Sequence, residues 1–78
     1  MLDIIKINKI SLKYNCWISN NSYLYYRLNE NGDFKRVAKF YYKEATGYYH
    51  ITDINKIHYE GNTDLDILFQ NFKNKFKF

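Results

Sequence analysis

His50, His58, Cys16 and the pair Asp64 and Asp66 are the side chains of this 78-residue chain best suited to catalysis or metal binding. Their spacing supports neither. The two histidines stand eight residues apart and match no metal-ligand or nucleophile–base motif, and Cys16 has no second cysteine for a disulfide or a thiolate site. On a helix, residues two apart do not face each other, so capping accounts for Asp64 and Asp66 better than paired acid–base work. Ser11, Ser19 and Ser22 lack a nearby His–Asp arrangement. Gly32, Gly47 and Gly61 are isolated and form no phosphate-cradling loop. The expectation is a non-enzymatic protein with no metal and no cofactor.

A different chemistry is written in residues 33–49, DFKRVAKFYYKEATGYY, where cations and aromatics alternate and no acid intervenes between Asp33 and Glu44. Lysines attract phosphates and carboxylates, while flat rings stack on bases or fill partner pockets. Such a stretch works as a surface only if a β-strand presents one of its faces to solvent.

The elements that would position it follow from periodicity. Residues 9–18 alternate with Ile10, Leu12, Tyr14, Cys16 and Ile18 on one face and Lys9, Ser11, Lys13, Asn15 and Trp17 on the other, which predicts a strand. A break falls near Asn8. The polar SNNS at 19–22 predicts a turn, and YLYYRL at 23–28 a second strand with Leu24, Tyr26 and Leu28 inward and Tyr23, Tyr25 and Arg27 outward. NENGD closes a hairpin on Gly32. A third strand over 34–43 places Phe34, Ala38, Phe40 and Tyr42 inward and Arg36 at a rim. It turns Lys35, Val37, Lys39, Tyr41 and Lys43 outward. After EATG, YYHIT and KIHYE add two short strands, and each glycine is expected in a turn.

Leu65, Leu68, Phe69, Phe72 and Phe76 then recur at helical spacing behind Thr63, with Asp66 three residues on as a capping-box partner. Lys73, Lys75 and Lys77 end this helix where its dipole favours cations. The fold class expected is α+β in one domain, residues 1–78. A four- or five-stranded antiparallel meander within 4–60 is covered on its inner face by one C-terminal helix over about 63–77.

Composition bounds the rest. A chain this short buries only about 60% of its unfolded surface, so aromatics, at 21%, must supply much of the core. Asp3 and the early lysines do not suit a signal peptide, no run reaches the roughly 20 apolar residues of a membrane span, and the lone cysteine suits a reducing compartment. A cytoplasmic protein without membrane contact is expected. Net charge is +4, although Ile, Asn, Lys, Tyr and Phe, all encoded by A/T-rich codons, make up 44 of the 78 residues, so coding bias contributes to the lysine and tyrosine content.

With one face under the helix, the other carries Lys9, Lys13, Trp17, Tyr23, Tyr25, Arg27, Lys35, Lys39, Tyr41 and Lys43. The eight acids fall at strand ends, in turns and at the helix start. A merely solvated face would look similar, because Tyr favours strands and exposed Lys discourages edge aggregation. As a recognition surface, it would use Tyr23, Tyr25, Arg27, Lys35, Lys39, Tyr41 and Lys43, with Lys9, Lys13 and Trp17 as additional contacts. The glycine–aromatic signature and crossover helices of the RNA-recognition sheet fold are missing, and one convincing helix does not make a helix-turn-helix.

In size, one-domain organisation and lack of catalytic residues, the chain resembles the small proteins of phages and mobile elements, including anti-CRISPR-type inhibitors of host defence. That resemblance implies a non-enzymatic inhibitor docking on a larger protein or nucleoprotein complex, and it assigns no site residue. Direct binding of single-stranded RNA or DNA by the same face is the alternative. A third reading is a homodimer rather than a monomer, with this face as a structural interface, which six like charges oppose.

Overall fold

The computed structural model describes residues 3–76, apart from the side chain of Glu60. The fold is α+β. A five-stranded antiparallel sheet runs in sequence order: β1 (Cys16–Ile18), β2 (Tyr23–Arg27), β3 (Phe34–Lys43), β4 (Tyr48–Asp53) and β5 (His58–Asn62). Two helices, α1 (Ile4–Ser11) and α2 (Leu65–Lys75), lie on one side of it. Ile18, Leu24, Val37, Phe40 and Ile51 from the strands meet Ile7, Leu68, Phe69 and Phe72 from the helices in one buried core.

α2 follows its predicted pattern. Its N-cap, however, is Asp64 rather than Thr63, and the Asp64 carboxylate accepts from the backbone N–H groups of Asp66 and Ile67. Lys73 and Lys75 occupy the last turn, and Lys77 lies outside the described residues. Phe69 and Phe72 lock this helix onto the sheet, Phe69 with Phe40 at 5.6 Å between ring centroids and Phe72 with Tyr59 at 5.1 Å.

The N-terminal third corrects the expected strand over 9–18. Residues 4–11 are helical, Leu12–Tyr14 form a 3₁₀ turn, and only Cys16–Ile18 enter the sheet. Asp3 caps α1 by accepting from the Lys6 N–H, and Ile4, Ile7, Asn8 and Ser11 fall on one helical face. Asn8 is buried at the edge of β1, where it hydrogen-bonds the backbone of Ile18. Lys9, Lys13, Ser11 and Asn15 therefore do not line the sheet. Leu12 is exposed, whereas the Tyr14 hydroxyl reaches over α2 to donate to Asp66 at 2.8 Å.

Two bulges, one in β3 and one in the edge strand β5, break the regular alternation. Leu24 pairs with Ala38 and Tyr25 with Arg36, which leaves Val37 as an extra residue in β3. Val37 is fully buried rather than outward-facing. Before it the alternation is inverted: Phe34 and Arg36 share the face of Tyr25, and Lys35, opposite Tyr26, lies on the helix side. The second bulge sits in β5, where Tyr49 pairs with Asn62 and Ile51 with Tyr59. Gly61 is thus inside a strand and not in a turn. A Cβ there would lie 2.4 Å from the His50 ring, so only glycine leaves room for that imidazole. Gly32 and Gly47 do occupy turns, at φ +87° and +73°.

Candidate functional site: the open face of the sheet

The face away from the helices is built by alternation on β1 to β5. Trp17 pairs with Tyr25, Tyr25 with Arg36, Tyr23 with Lys39, Lys39 with Thr52, Tyr41 with His50, and Thr52 with His58. Of the expected contact residues, Trp17, Tyr23, Tyr25, Lys39, Tyr41 and Lys43 share this surface. Arg27 belongs to it by register, but its guanidinium is turned away and donates to the carbonyls of Asn29 and Glu30, both at 2.9 Å. Lys35 is on the opposite side, Lys9 is on α1, and Lys13 bonds Asp66 at 2.9 Å. The extra residue at Val37 inverts everything N-terminal to it in β3 and so moves Lys35, whereas Lys9 and Lys13 leave the sheet because residues 4–14 are helical.

At the β1 end the surface is apolar. Leu12, Trp17, Tyr25 and Phe34 line an open groove of about 600 Å³ with Ser19, and Trp17 is 42% exposed. In the middle, the Arg36 guanidinium sits 4.6 Å from the centre of the Tyr23 ring, a cation–π contact that holds a normally mobile side chain in place. Towards β5, Tyr41 stacks on His50 at 5.2 Å, and His50 Nδ1 lies 3.1 Å from His58 Nε2. The Lys43 ammonium lies over the Tyr41 ring, 6.0 Å from its centre.

His50 is buried, and its Nε2 has no hydrogen-bond partner. Desolvation, with Lys43 and His58 nearby, holds its pKa below the ordinary value of 6.5, so the ring is neutral at neutral pH. Among the described residues, no three His, Cys, Asp or Glu side chains come together as a metal site. Burial pushes the Cys16 thiol up to about 12, which removes it as a nucleophile at neutral pH. Asp66 is held below the usual carboxylate range by the Lys13 ammonium and the Tyr14 hydroxyl, a structural role at the α1–α2 side.

Within the strands, the only described carboxylate is Asp53. It is buried and accepts from the Asn55 and Ile57 N–H groups and from the Tyr59 hydroxyl. Arg36, Lys39 and Lys43 therefore face solvent with no described acid among them on the strands. Sequence reasoning missed Phe34 and Arg36 as members of this face. The adjacent small apolar residues Val37 and Ala38, which interrupt the alternation inside FKRVAKF, are the signal that marks the bulge. No helix among the described residues is long and apolar enough to cross a membrane. No family model, curated protein or solved structure matches this chain.

Proposed function

We propose that this is a non-enzymatic binding protein that docks the open face of its sheet on a larger nucleoprotein complex, as a phage-type inhibitor of a host nucleic-acid-handling or defence machine would. The observation that carries this reading is the pairing, on one face, of an aromatic groove at Trp17, Tyr25 and Phe34 with unpaired cations at Arg36, Lys39 and Lys43. Aromatics fill partner pockets and supply most of the affinity, whereas cations steer the encounter with an acidic surface. Two copies meeting through this face would oppose like charges, which disfavours a homodimer there.

Capture of partners from a bacterial lysate on the immobilised protein, with and without nuclease, tests the reading. A partner complex should be retained by the native protein and lost with Tyr25→Ala or Trp17→Ala, each costing about 2 kcal/mol if these rings are anchors. Retention that ignores both substitutions would remove this face from the interaction. Direct binding of single-stranded RNA or DNA is the second reading. It is favoured by the alternation of rings and cations along Tyr23, Arg36, Lys39 and Tyr41.

A further inference from the structure

Arg36 and Lys39 are three residues apart in one strand, a spacing that puts side chains on opposite faces of a regular strand. The Val37 bulge cancels that alternation and brings both to the open face, Arg36 stacked on Tyr23 and Lys39 paired with Tyr23 across the ladder. The same bulge does a second thing. Its free carbonyl, Val37 O, accepts from the Ile54 N–H at 2.9 Å and so fastens the β4–β5 turn against β3. In that turn Lys56 holds a left-handed backbone at φ +64°, which costs a lysine of order 1 kcal/mol and persists only where the surroundings impose it. Asp53 imposes it, accepting at Oδ1 from the Asn55 and Ile57 N–H groups at 2.8 and 3.0 Å while its carbonyl accepts from the Lys56 N–H.

The two irregularities converge on one depression. Tyr23, Arg36, Lys39, Thr52 and Lys56 line a recess of about 380 Å³ together with Asp53 and the apolar Ala38 and Ile54. None of the three cations is in an ion pair, since the one ion pair among the described residues joins Lys13 to Asp66. Asp53 is occupied by three donors, which disperse its charge, and the cations outnumber it. A guanidinium resting on a tyrosine ring, in a recess that Lys39 and Lys56 also line, offers charge-assisted donors to the oxygens of a tetrahedral dianion or a phosphodiester.

We infer that the recess formed at the Val37 bulge by Arg36, Lys39 and Lys56 is a phosphate-binding site, which seats a backbone phosphate of a nucleic-acid strand. This deepens the proposed function by naming the nucleic-acid component of the partner, and it rests on the open face being the contact surface. Arg36 supplies the oriented hydrogen bonds, and Lys39 and Lys56 neutralise the charge.

Fluorescence anisotropy of a short labelled single-stranded oligonucleotide, titrated with the whole protein at several salt concentrations, tests the site. A second oligonucleotide with uncharged methylphosphonate linkages and inorganic phosphate as competitor complete the set. Arg36→Gln and Lys56→Gln should each weaken binding at least about fivefold, in line with loss of a charge-assisted hydrogen bond. Each should also flatten the salt dependence by about 0.7 in log–log slope. Lys35→Gln, on the helix side, should change neither, and the uncharged strand should not bind. Competition by inorganic phosphate through the same residues would assign the site to a free phosphate, whereas its absence would assign it to the strand. The inference fails if no oligonucleotide or phosphate binds, or if the uncharged strand binds as well as the charged one. If Arg36→Gln and Lys56→Gln bind normally while Tyr25→Ala weakens binding, the recess is overturned and the open face stands. If none of the three weakens it, both fall together for nucleic acid, and the capture experiment alone then decides the docking reading. Thermal unfolding of each variant confirms that it is folded.

Discussion

The side-chain carboxamide of Asn8 and the backbone of Ile18 exchange two hydrogen bonds, Asn8 Nδ2 donating to Ile18 O at 2.9 Å and Ile18 N–H donating to Asn8 Oδ1 at 2.8 Å. One amide side chain thus imitates the next strand of the sheet. It satisfies both free backbone groups of Ile18 on β1, an edge strand with a ready template for unwanted pairing, and it ties α1 to that edge. Ser11 Oγ, donating to Asn8 Oδ1 at 2.9 Å, fixes the amide's orientation.

Asn8→Leu should therefore destabilise the protein by about 2–4 kcal/mol, because two buried backbone groups lose their partners at once. Asn8→Asp should be at least as harmful, since a carboxylate can accept from Ile18 N–H but cannot donate to Ile18 O. Urea denaturation checks both. A loss within about 0.5 kcal/mol for Asn8→Leu would show that the edge finds other partners.

Gly61→Ala should cost about 1–3 kcal/mol, since the new methyl group would overlap the His50 ring and force it or β5 to move. The cost should shrink in the background of His50→Ala, where the clash is gone. A double-mutant cycle by chemical denaturation measures this coupling, and additive losses would contradict it.

Stability should also fall with acid in a window set by His50. Its folded pKa lies below the ordinary 6.5, so the unfolded chain binds a proton more readily. The neutral ring's contribution is complete above about pH 7 and is lost as pH falls through 6.5 towards the lowered folded value. Lys43 and His58, which oppose its protonation, and Tyr41, stacked on the ring, face it across the sheet. Denaturation midpoints of the native protein and of His50→Gln between pH 5 and 8 check this, the variant being expected to show a flatter profile.

Phe72→Asp should leave no folded protein at 25 °C. It buries an unpaired charge between Tyr59 and Phe76, at a cost of several kcal/mol in a domain whose total stability is of order 5–10 kcal/mol. Circular dichroism reads the outcome directly, and a native-like spectrum with cooperative melting would refute the assigned core face.

Cys16 is fully buried beneath the helices, and its thiol stands at about 12. Native protein at neutral pH should resist alkylation by iodoacetamide over hours and react only as it unfolds. Mass spectrometry with and without urea separates the two cases; rapid native labelling would place the thiol at the surface.

Elements whose apolar positions meet a partner face of the core follow from the sequence. The helix of Leu65, Leu68, Phe69 and Phe72 and the strands carrying Leu24, Phe40 and Ile51 were legible because a strong period survives small errors at element ends. The N-terminal helix was not. Ile10, Leu12, Tyr14, Cys16 and Ile18 alternate as a strand would, yet the burial of Asn8 and Ser11 with Ile7 decides in favour of a helix. A buried asparagine carries no apolar signal, so its partner, the open backbone of Ile18, exists only once β1 is in place.

The amino-acid sequence by itself determined the class, an antiparallel meander with an amphipathic helix across it, and the cationic, aromatic character of the uncovered face. Local periodicity and turn residues are sufficient for that. Tertiary structure alone decided which residues share the face. One unpaired residue at Val37 exchanges Lys35 for Arg36, and a bulge over Gly61 makes room for His50. Because side chains in a strand alternate with a period of two, a single extra residue reverses every position beyond it, and where that residue goes is settled by packing against the neighbouring strands.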